Sequence, residues 1–377
     1  MVDAVKPFVA IPRRPRSDQE RAVTMRDIAA RCGVTKQTVS RALLGDTRVR
    51  ADTRERVLAA AEALGYDPTR HHAARQMALS KHGLSVLNEV IAVFFPPFTF
   101  RSNFVTELFW GIWEGLNERG YALLAIHSRD PRTDAAPRVT AAIKRGEVDG
   151  AIVHSRPGDF SPTLDELRRE QYFADRPIVF SMWTHPSCSA VTAEYASGAY
   201  AAACHLLELG HRHLLHIYHA PDVTTHPVIT RIEAYERAYR DFGLNPARYL
   251  HAFAWEDDDG ARSLAQCLEH LKAYPEITGV LARNDQNAAL LAHNLHHLGK
   301  RVPDDISLIG FDDTDPLFNA FGQNILTSVR LPLREIGLEA ARLVIQRVTG
   351  EQRADVIQQI STSLVTRHST APPPLKP

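Results

Sequence analysis

Residues 33–46 read GVTKQTVSRALLGD. Six polar side chains, Thr35, Lys36, Gln37, Thr38, Ser40 and Arg41, crowd around Val34, Val39 and Leu43, an apolar set too sparse to form a core element unaided. Such a stretch is either one solvated helix face or a surface that meets a polar, ordered partner. Its flanks bear on the choice. Thr24 can cap a helix running from about Met25 to Cys32, and Gly33 can take the positive φ that ends it. Thr35 can cap a second helix through about Leu44. Asp52 and Glu55 have the spacing of a capping box for a third helix that ends at Gly65. Ile28, Ala29, Val34, Val39, Leu43, Val57, Leu58, Ala61 and Leu64 can then share one small core. Helix, glycine turn, helix is the helix-turn-helix layout, whose second helix enters the major groove of DNA. In that reading Lys36, Gln37 and Arg41 reach base edges, and Thr24, Thr35, Thr38, Ser40 and Thr53 bond phosphates. Taken alone, the same pattern also fits a three-helix bundle with no nucleic-acid role.

Charge weighs on the first side. The 377-residue chain has zero formal net charge, but residues 1–84 hold 16 Lys and Arg against 9 Asp and Glu, so an acidic remainder balances a basic head. A basic head suits a polyanion. A hydrophobic content of 44% with 23% charged residues is that of a globular protein, and the length allows two or three domains. No run of about 18 apolar residues predicts a membrane span. The N-terminus lacks the apolar segment of a secretory signal, so a cytoplasmic, nucleoid-associated protein is expected. Cys32, Cys188, Cys204 and Cys267 lie far apart with no CxxC spacing, which suggests reduced thiols.

Behind the head the pattern changes. Residues 1–22 have three prolines and no period and read as a flexible basic arm. Residues 23–67 form the helical head and 68–87 a polar link. From about residue 88, short apolar runs such as VIAVFF, VDGAIVH, HLLHIY and ISLIGF alternate with helical segments of roughly 10–15 residues, which argues for βαβ units. Nine or ten strands exceed what one compact sheet usually needs, so the expected fold is a small all-α head plus an α/β body of two doubly wound parallel-sheet subdomains. Residues 371–377 read as a tail.

The residues of the head also carry a resemblance. TMRDIAARCGVTKQTVSRALLGDTRVRADTRERVLAAAEALGYDP resembles the DNA-binding head of the lactose/galactose repressor family of bacterial transcription regulators, through T-x-x-D-I-A-x-x-x-G-V-T-x-x-T-V-S-R-x-L, then V-R-x-x-T-R-x-R-V, then L-G-Y-x-P. In the body, AAACHLLELGHRHLLHI and VLARNDQNAALLAHNLHHLGKRVPDDISLIGFDD resemble further family segments. The resemblance covers about residues 24–370. It implies a periplasmic-binding-protein-like body with crossovers near Trp183, Phe318 and Val329, dividing it into about 88–184 with 318–329 and 185–317 with 330–370. It implies a homodimer on a pseudo-palindromic operator, repression as the output and a small-molecule effector, with sugar-like chemistry favoured over another metabolite. It implies a hinge helix in which Arg75 and Met77, with Leu79 as the rival wedge, enter the minor groove.

For the effector cleft the resemblance implies Arg231, Asn284, Asp285 and Asp312, with Trp255 stacking on the ligand. Phe98, Phe104, Met182 and Trp183 would make the pocket more apolar. Each has an ordinary alternative: Arg231 could bridge Asp285, and Trp255 could be core packing. This chain also departs from the family. PIVFSMW stands where PVVLIDR is usual, and Glu194, Tyr195 and Ala234 replace common residues. No GxSxG, phosphate-binding loop or HExxH occurs, so no enzyme activity and no cofactor are expected. Eighteen histidines invite a metal reading, but none has convincing ligand spacing, so no metal site is expected.

Overall fold

A computed structural model describes residues 23–43, 46, 48–64, 66, 87–96, 103–128, 139–220, 225–256 and 261–374. The chain divides into two compact units, Met1–Leu87 and Asn88–Pro377.

In the first unit, helix α1 spans Met25–Cys32, α2 Lys36–Leu43 and α3 Ala51–Ala63. The Asp27 carboxylate accepts from the Thr24 N–H at 2.7 Å and the Thr24 hydroxyl at 2.6 Å, closing a capping box at the start of α1. Gly33 ends that helix at φ 65, a conformation that strains any side chain. The Thr35 hydroxyl accepts from the Thr38 N–H at 3.1 Å and opens α2. Ile28, Val39 and Val57, one from each helix, are fully buried together. Two expectations are corrected. Helix α3 begins at Ala51, so Asp52 lies inside its first turn and cannot cap it with Glu55. Leu58 is 47% exposed, because the residue after Val57 is turned about 100° round the helix, away from the core.

The second unit carries β1 Val90–Phe95, α4 Asn103–Asn117, β2 Ala122–His127, α5 Ala141–Lys144, β3 Gly150–Val153, α6 Pro157–Arg169, β4 Ile178–Ser181, β5 Ser189–Glu194, α7 Tyr195–Glu208, β6 Leu214–His219, α8 His226–Asp241, α9 Pro246–Tyr249, β7 Leu250–Trp255, α10 Ala261–Ala273, β8 Gly279–Leu281, α11 Asp285–Asn294, β9 Ser307–Asp312, β10 Thr327–Arg330, α12 Leu333–Thr349, β11 Ile357–Ser361 and β12 Ser363–Val365. They build two six-stranded sheets, ordered β11-β5-β4-β3-β1-β2 and β12-β10-β9-β8-β6-β7. All pairings are parallel except β10 with β12. The continuous apolar strands follow from burial on both faces.

The chain passes between subdomains at three places: from β5 into α7, from β10 through Leu331 into α12, and from β11 into β12. The chain crosses just after Val329, but from the second subdomain back to the first, opposite to the expected direction, and it does not cross near Trp183 or Phe318, so the expected division shifts. β5 belongs to the first subdomain because Ser189 pairs with Val179 of β4. β10 belongs to the second because Val329 pairs with Phe311 of β9. Helix α12 and β11 return to the first. A turn bridged from His185 to Cys188 and a loop bridged from Phe318 to Asn324 stand where the other crossovers were expected. Helix α12 lies so close on α4 that a Cβ at Gly111 would collide with the Arg334 carbonyl, and one at Gly337 with the Leu108 carbonyl.

Candidate functional site

Each sheet reverses its strand order beside its first strand, with β1 between β3 and β2 and β6 between β8 and β7. Loops diverge at such a reversal and leave a crevice at the carboxyl ends of the strands. A cavity of about 530 Å³ lies there between the two subdomains. The first subdomain lines it with Phe104, Ser128, His154, Arg156, Met182 and Trp183. The second supplies Tyr195, His216, His219, Arg231, Tyr235, Asn284, Phe311 and Asp312.

Backbone strain concentrates at this edge. Met182, Asp312 and Asp313 hold positive φ of 70, 100 and 58, at a cost of about 1–3 kcal/mol each. Met182 is held by its N–H to the Val191 carbonyl at 2.8 Å and by the Thr192 hydroxyl donating to its own carbonyl at 3.0 Å.

Arg231, on α8, crosses the cleft floor. Its guanidinium donates to the carbonyls of Ala282 and Arg283 at 2.9 Å each and lies 3.7 Å above the centre of the Phe311 ring. It therefore does not bridge Asp285. Burial, followed by the neighbouring Asp285 carboxylate, pushes Asp312 well above the carboxylate range, against the pull of Arg231 and Arg283. Burial pushes the His154 imidazole down to about 4, and burial together with Arg231 does the same to His216, so both are neutral at pH 7. The Ser128 hydroxyl is buried without a hydrogen-bond partner among the described residues. Among the described residues, two side-chain contacts join the cleft's sides. Arg156 Nη2 lies 3.4 Å from His219 Nδ1, and Asn103 Nδ2 donates to Asp315 Oδ1 at 2.9 Å and to the Thr314 carbonyl at 3.2 Å.

Of the residues expected at the effector site, Phe104, Met182, Trp183, Arg231, Asn284 and Asp312 line one cavity. Two expected residues do not. Trp255 is 1% exposed and packs in the core of the second subdomain with Ile217 and Cys267, because the last residue of edge strand β7 turns inward under α10. Asp285 is equally buried. It accepts from the Ser328 hydroxyl and from the N–H groups of Thr314 (2.7 Å) and Asp315 (3.3 Å), so it braces the loop after β9. Burial raises it to about 6. Phe98, Arg75, Met77 and Leu79 lie outside the described residues. His154, Arg156, His216 and His219 were not anticipated. For His154, Arg156 and His219 the signal is position, at or just past the carboxyl end of an apolar strand, whereas His216 lies inside β6.

On the head, Lys36, Gln37 and Arg41 are exposed on one side of α2, while Val39 and Ala42 are buried on the other. Thr35 and Thr38 bond each other at 2.9 Å, Thr53 donates to Asp52 at 3.4 Å, and Thr24 is engaged as the cap of α1. Among the described residues no helix is long and apolar enough to cross a membrane.

Comparison with known proteins places both units. Residues 24–69 match the family described as bacterial regulatory proteins, lacI family, and residues 203–370 match the periplasmic binding protein-like domain. The chain is 28% identical over 348 residues to the transcriptional repressor PurR of Haemophilus influenzae, covering 91% of this chain and 96% of that protein. A solved complex of the transcriptional regulator CelR with cellobiose superposes with a TM-score of 0.59 at 25% identity, covering 92% of this chain and 99% of the other. A LacI family transcriptional regulator from Enterococcus faecium with bound ribose gives 0.61 at 25% identity, covering 76% and 100%.

Proposed function

Because the chain belongs to the lacI family of bacterial regulatory proteins, we propose that it is a transcriptional repressor whose operator affinity is set by a sugar or sugar derivative held between its two body subdomains. The observation that carries the effector class is the grouping of Arg231, Phe311 and Asp312. A planar fork of donors, an aromatic ring and a carboxyl group converge on one cavity. A carboxyl raised in this way keeps its proton longer and can donate as well as accept, which suits hydroxyl groups better than a cation. Trp183 and Phe104 supply apolar faces for ring carbons, and Ser128 offers a buried hydroxyl. The relatives solved with cellobiose and ribose support the same class.

On the DNA side, Lys36, Gln37 and Arg41 read bases, and Thr35, Thr38, Ser40 and Thr53 bond phosphates. Thr24 does so while capping α1. Two heads in a homodimer face a pseudo-palindromic operator, and the hinge enters the minor groove through Arg75 and Met77, with Leu79 as the rival wedge. The effector binds one arrangement of the subdomains better than the other, and operator affinity follows that equilibrium. Such a protein works in the cytoplasm and turns over no substrate.

Two measurements on the full chain test this. Binding to pseudo-palindromic duplexes should weaken steeply with salt, as phosphate contacts require. Thermal unfolding should shift upward with a pentose, hexose or disaccharide, since a ligand of the folded state stabilises by mass action. A flat, salt-independent DNA response would overturn the regulator reading. A shift with purine bases and with none of the sugars would overturn the effector class.

A further inference from the structure

At the opposite edge of the second subdomain, three side chains converge that sequence spacing does not connect. His213 immediately precedes β6, His251 is the second residue of β7, and Glu276 lies three residues before β8. These strands are neighbours in the order β8-β6-β7, so their amino ends meet. The Thr278 N–H donates to the His213 carbonyl at 3.2 Å and ties the approach to β8 against that histidine. One ligand atom from each of His213, His251 and Glu276 lies within 4.8 Å of the other two. His213 Nδ1 and His251 Nε2 are 3.2 Å apart. Two imidazole nitrogens on one tetrahedral zinc ion, each at about 2.0–2.1 Å, stand roughly 3.3–3.4 Å apart.

From this geometry we propose that His213, His251 and Glu276 form a zinc site, separate from the effector cleft, that clamps the amino ends of β6, β7 and β8. Two imidazoles and one carboxylate are the donor set of a three-ligand zinc centre, with water in the fourth position. All three residues are half-buried, which shelters an ion yet leaves it a path from solvent. Aromatic neighbours flank the rings. His213 meets Tyr249 edge-on at 5.1 Å, and His251 lies 5.2 Å from Tyr274. A further imidazole, His270, has its ring 6.4 Å from that of His251 and a buried Nε2 without a hydrogen-bond partner among the described residues. A clamp here bears on the edge strand β7, which is otherwise joined to the sheet only through β6. The site rests on no assumption about DNA or sugar.

The test is a zinc titration of the chelator-stripped full-length protein in competition with a chromophoric chelator. One zinc ion per chain is expected. His213→Ala and His251→Ala should each weaken binding by about 100-fold or more, beyond what losing an outer-shell partner costs. Glu276→Gln should weaken it as well. The exposed pair His293→Ala/His297→Ala should leave it unchanged. Zinc should raise the unfolding midpoint of the wild type and leave that of His251→Ala where it is. Cobalt in the wild type alone should show the strong visible bands of tetrahedral coordination, a readout that needs no variant to fold. Zinc binding equal in the wild type and in the His213→Ala/His251→Ala variant would overturn the proposal and leave two imidazoles sharing a hydrogen bond. So would weak octahedral cobalt bands.

Discussion

Arg231 stacks on Phe311 at 3.7 Å while its N–H groups hold the carbonyls that end β8. One side chain from α8 thereby fixes the ends of two strands at the cleft floor. Lysine keeps the charge but loses the plane and the paired donors. Arg231→Lys should weaken sugar binding by about 2 kcal/mol, roughly 30-fold, by calorimetry, with operator affinity in the absence of sugar unchanged. Equal sugar affinity in both proteins would remove Arg231 from the site.

The two contacts across the cleft, Arg156 with His219 and Asn103 with Asp315, favour the arrangement in which the subdomains touch. Hydrogen bonds of this kind are worth about 0.5–1.5 kcal/mol each. Asn103→Ala/Arg156→Ala should therefore change the sugar-dependent ratio of operator affinities by about 10-fold. An unchanged ratio in a mobility-shift titration would show that these contacts do not report the switching equilibrium.

Acid should act on two buried histidines of the cleft, His154 and His216. His154 and His216 titrate near pH 4 when folded and near 6.5 when unfolded. Between those values the unfolded chain binds more protons, so stability falls as the pH drops from 6.5 towards 4. The loss is up to about 3 kcal/mol per histidine. Asp285 opposes it. Its folded pKa of about 6 exceeds the ordinary 3.8, so the folded chain takes up that proton first and recovers stability as pH falls through 6. Comparison with His154→Gln/His216→Gln isolates the histidines. In urea unfolding at pH 7 and 4.5 the wild type should lose several kcal/mol more than the variant. Equal losses would mean that neither imidazole is buried neutral.

Much of the head was legible because local chemistry decides it. A threonine cap with an acid three residues on, a glycine turn and one apolar residue per helix leave little choice. The two parallel sheets were legible from unbroken apolar strands. The subdomain division was not, because which sheet β5 and β10 join depends on pairing with β4 and β9, a long-range fact with no local signature. Trp255 and Asp285 failed for a related reason. Being at a strand end places a residue near the cleft, but the direction of the side chain separates the lining from the support. Arg231 and Asp312 point into the cavity, Trp255 points into the core, and Asp285 is spent on the loop that carries Asp315. His213, His251 and Glu276 were invisible as a group because their meeting depends on strand order alone.

Recognition should reside in α2. Exchanging both Lys36 and Gln37 for other polar residues should change which operator sequence a selection recovers, by about 1–3 kcal/mol per lost base contact. Sugar binding to the body should stay the same. An unchanged sequence preference would assign these two side chains to the solvated face of the helix.

The central claim is that one equilibrium links the cleft to the operator. Its most direct test measures operator affinity with and without saturating sugar, and sugar affinity with and without operator, on the same full-length protein. Linkage requires the two ratios to be equal, at about 5–150-fold for a typical coupling. Equal, sizeable ratios are the predicted result. A sugar that binds the cleft tightly and leaves operator affinity unchanged would contradict the account.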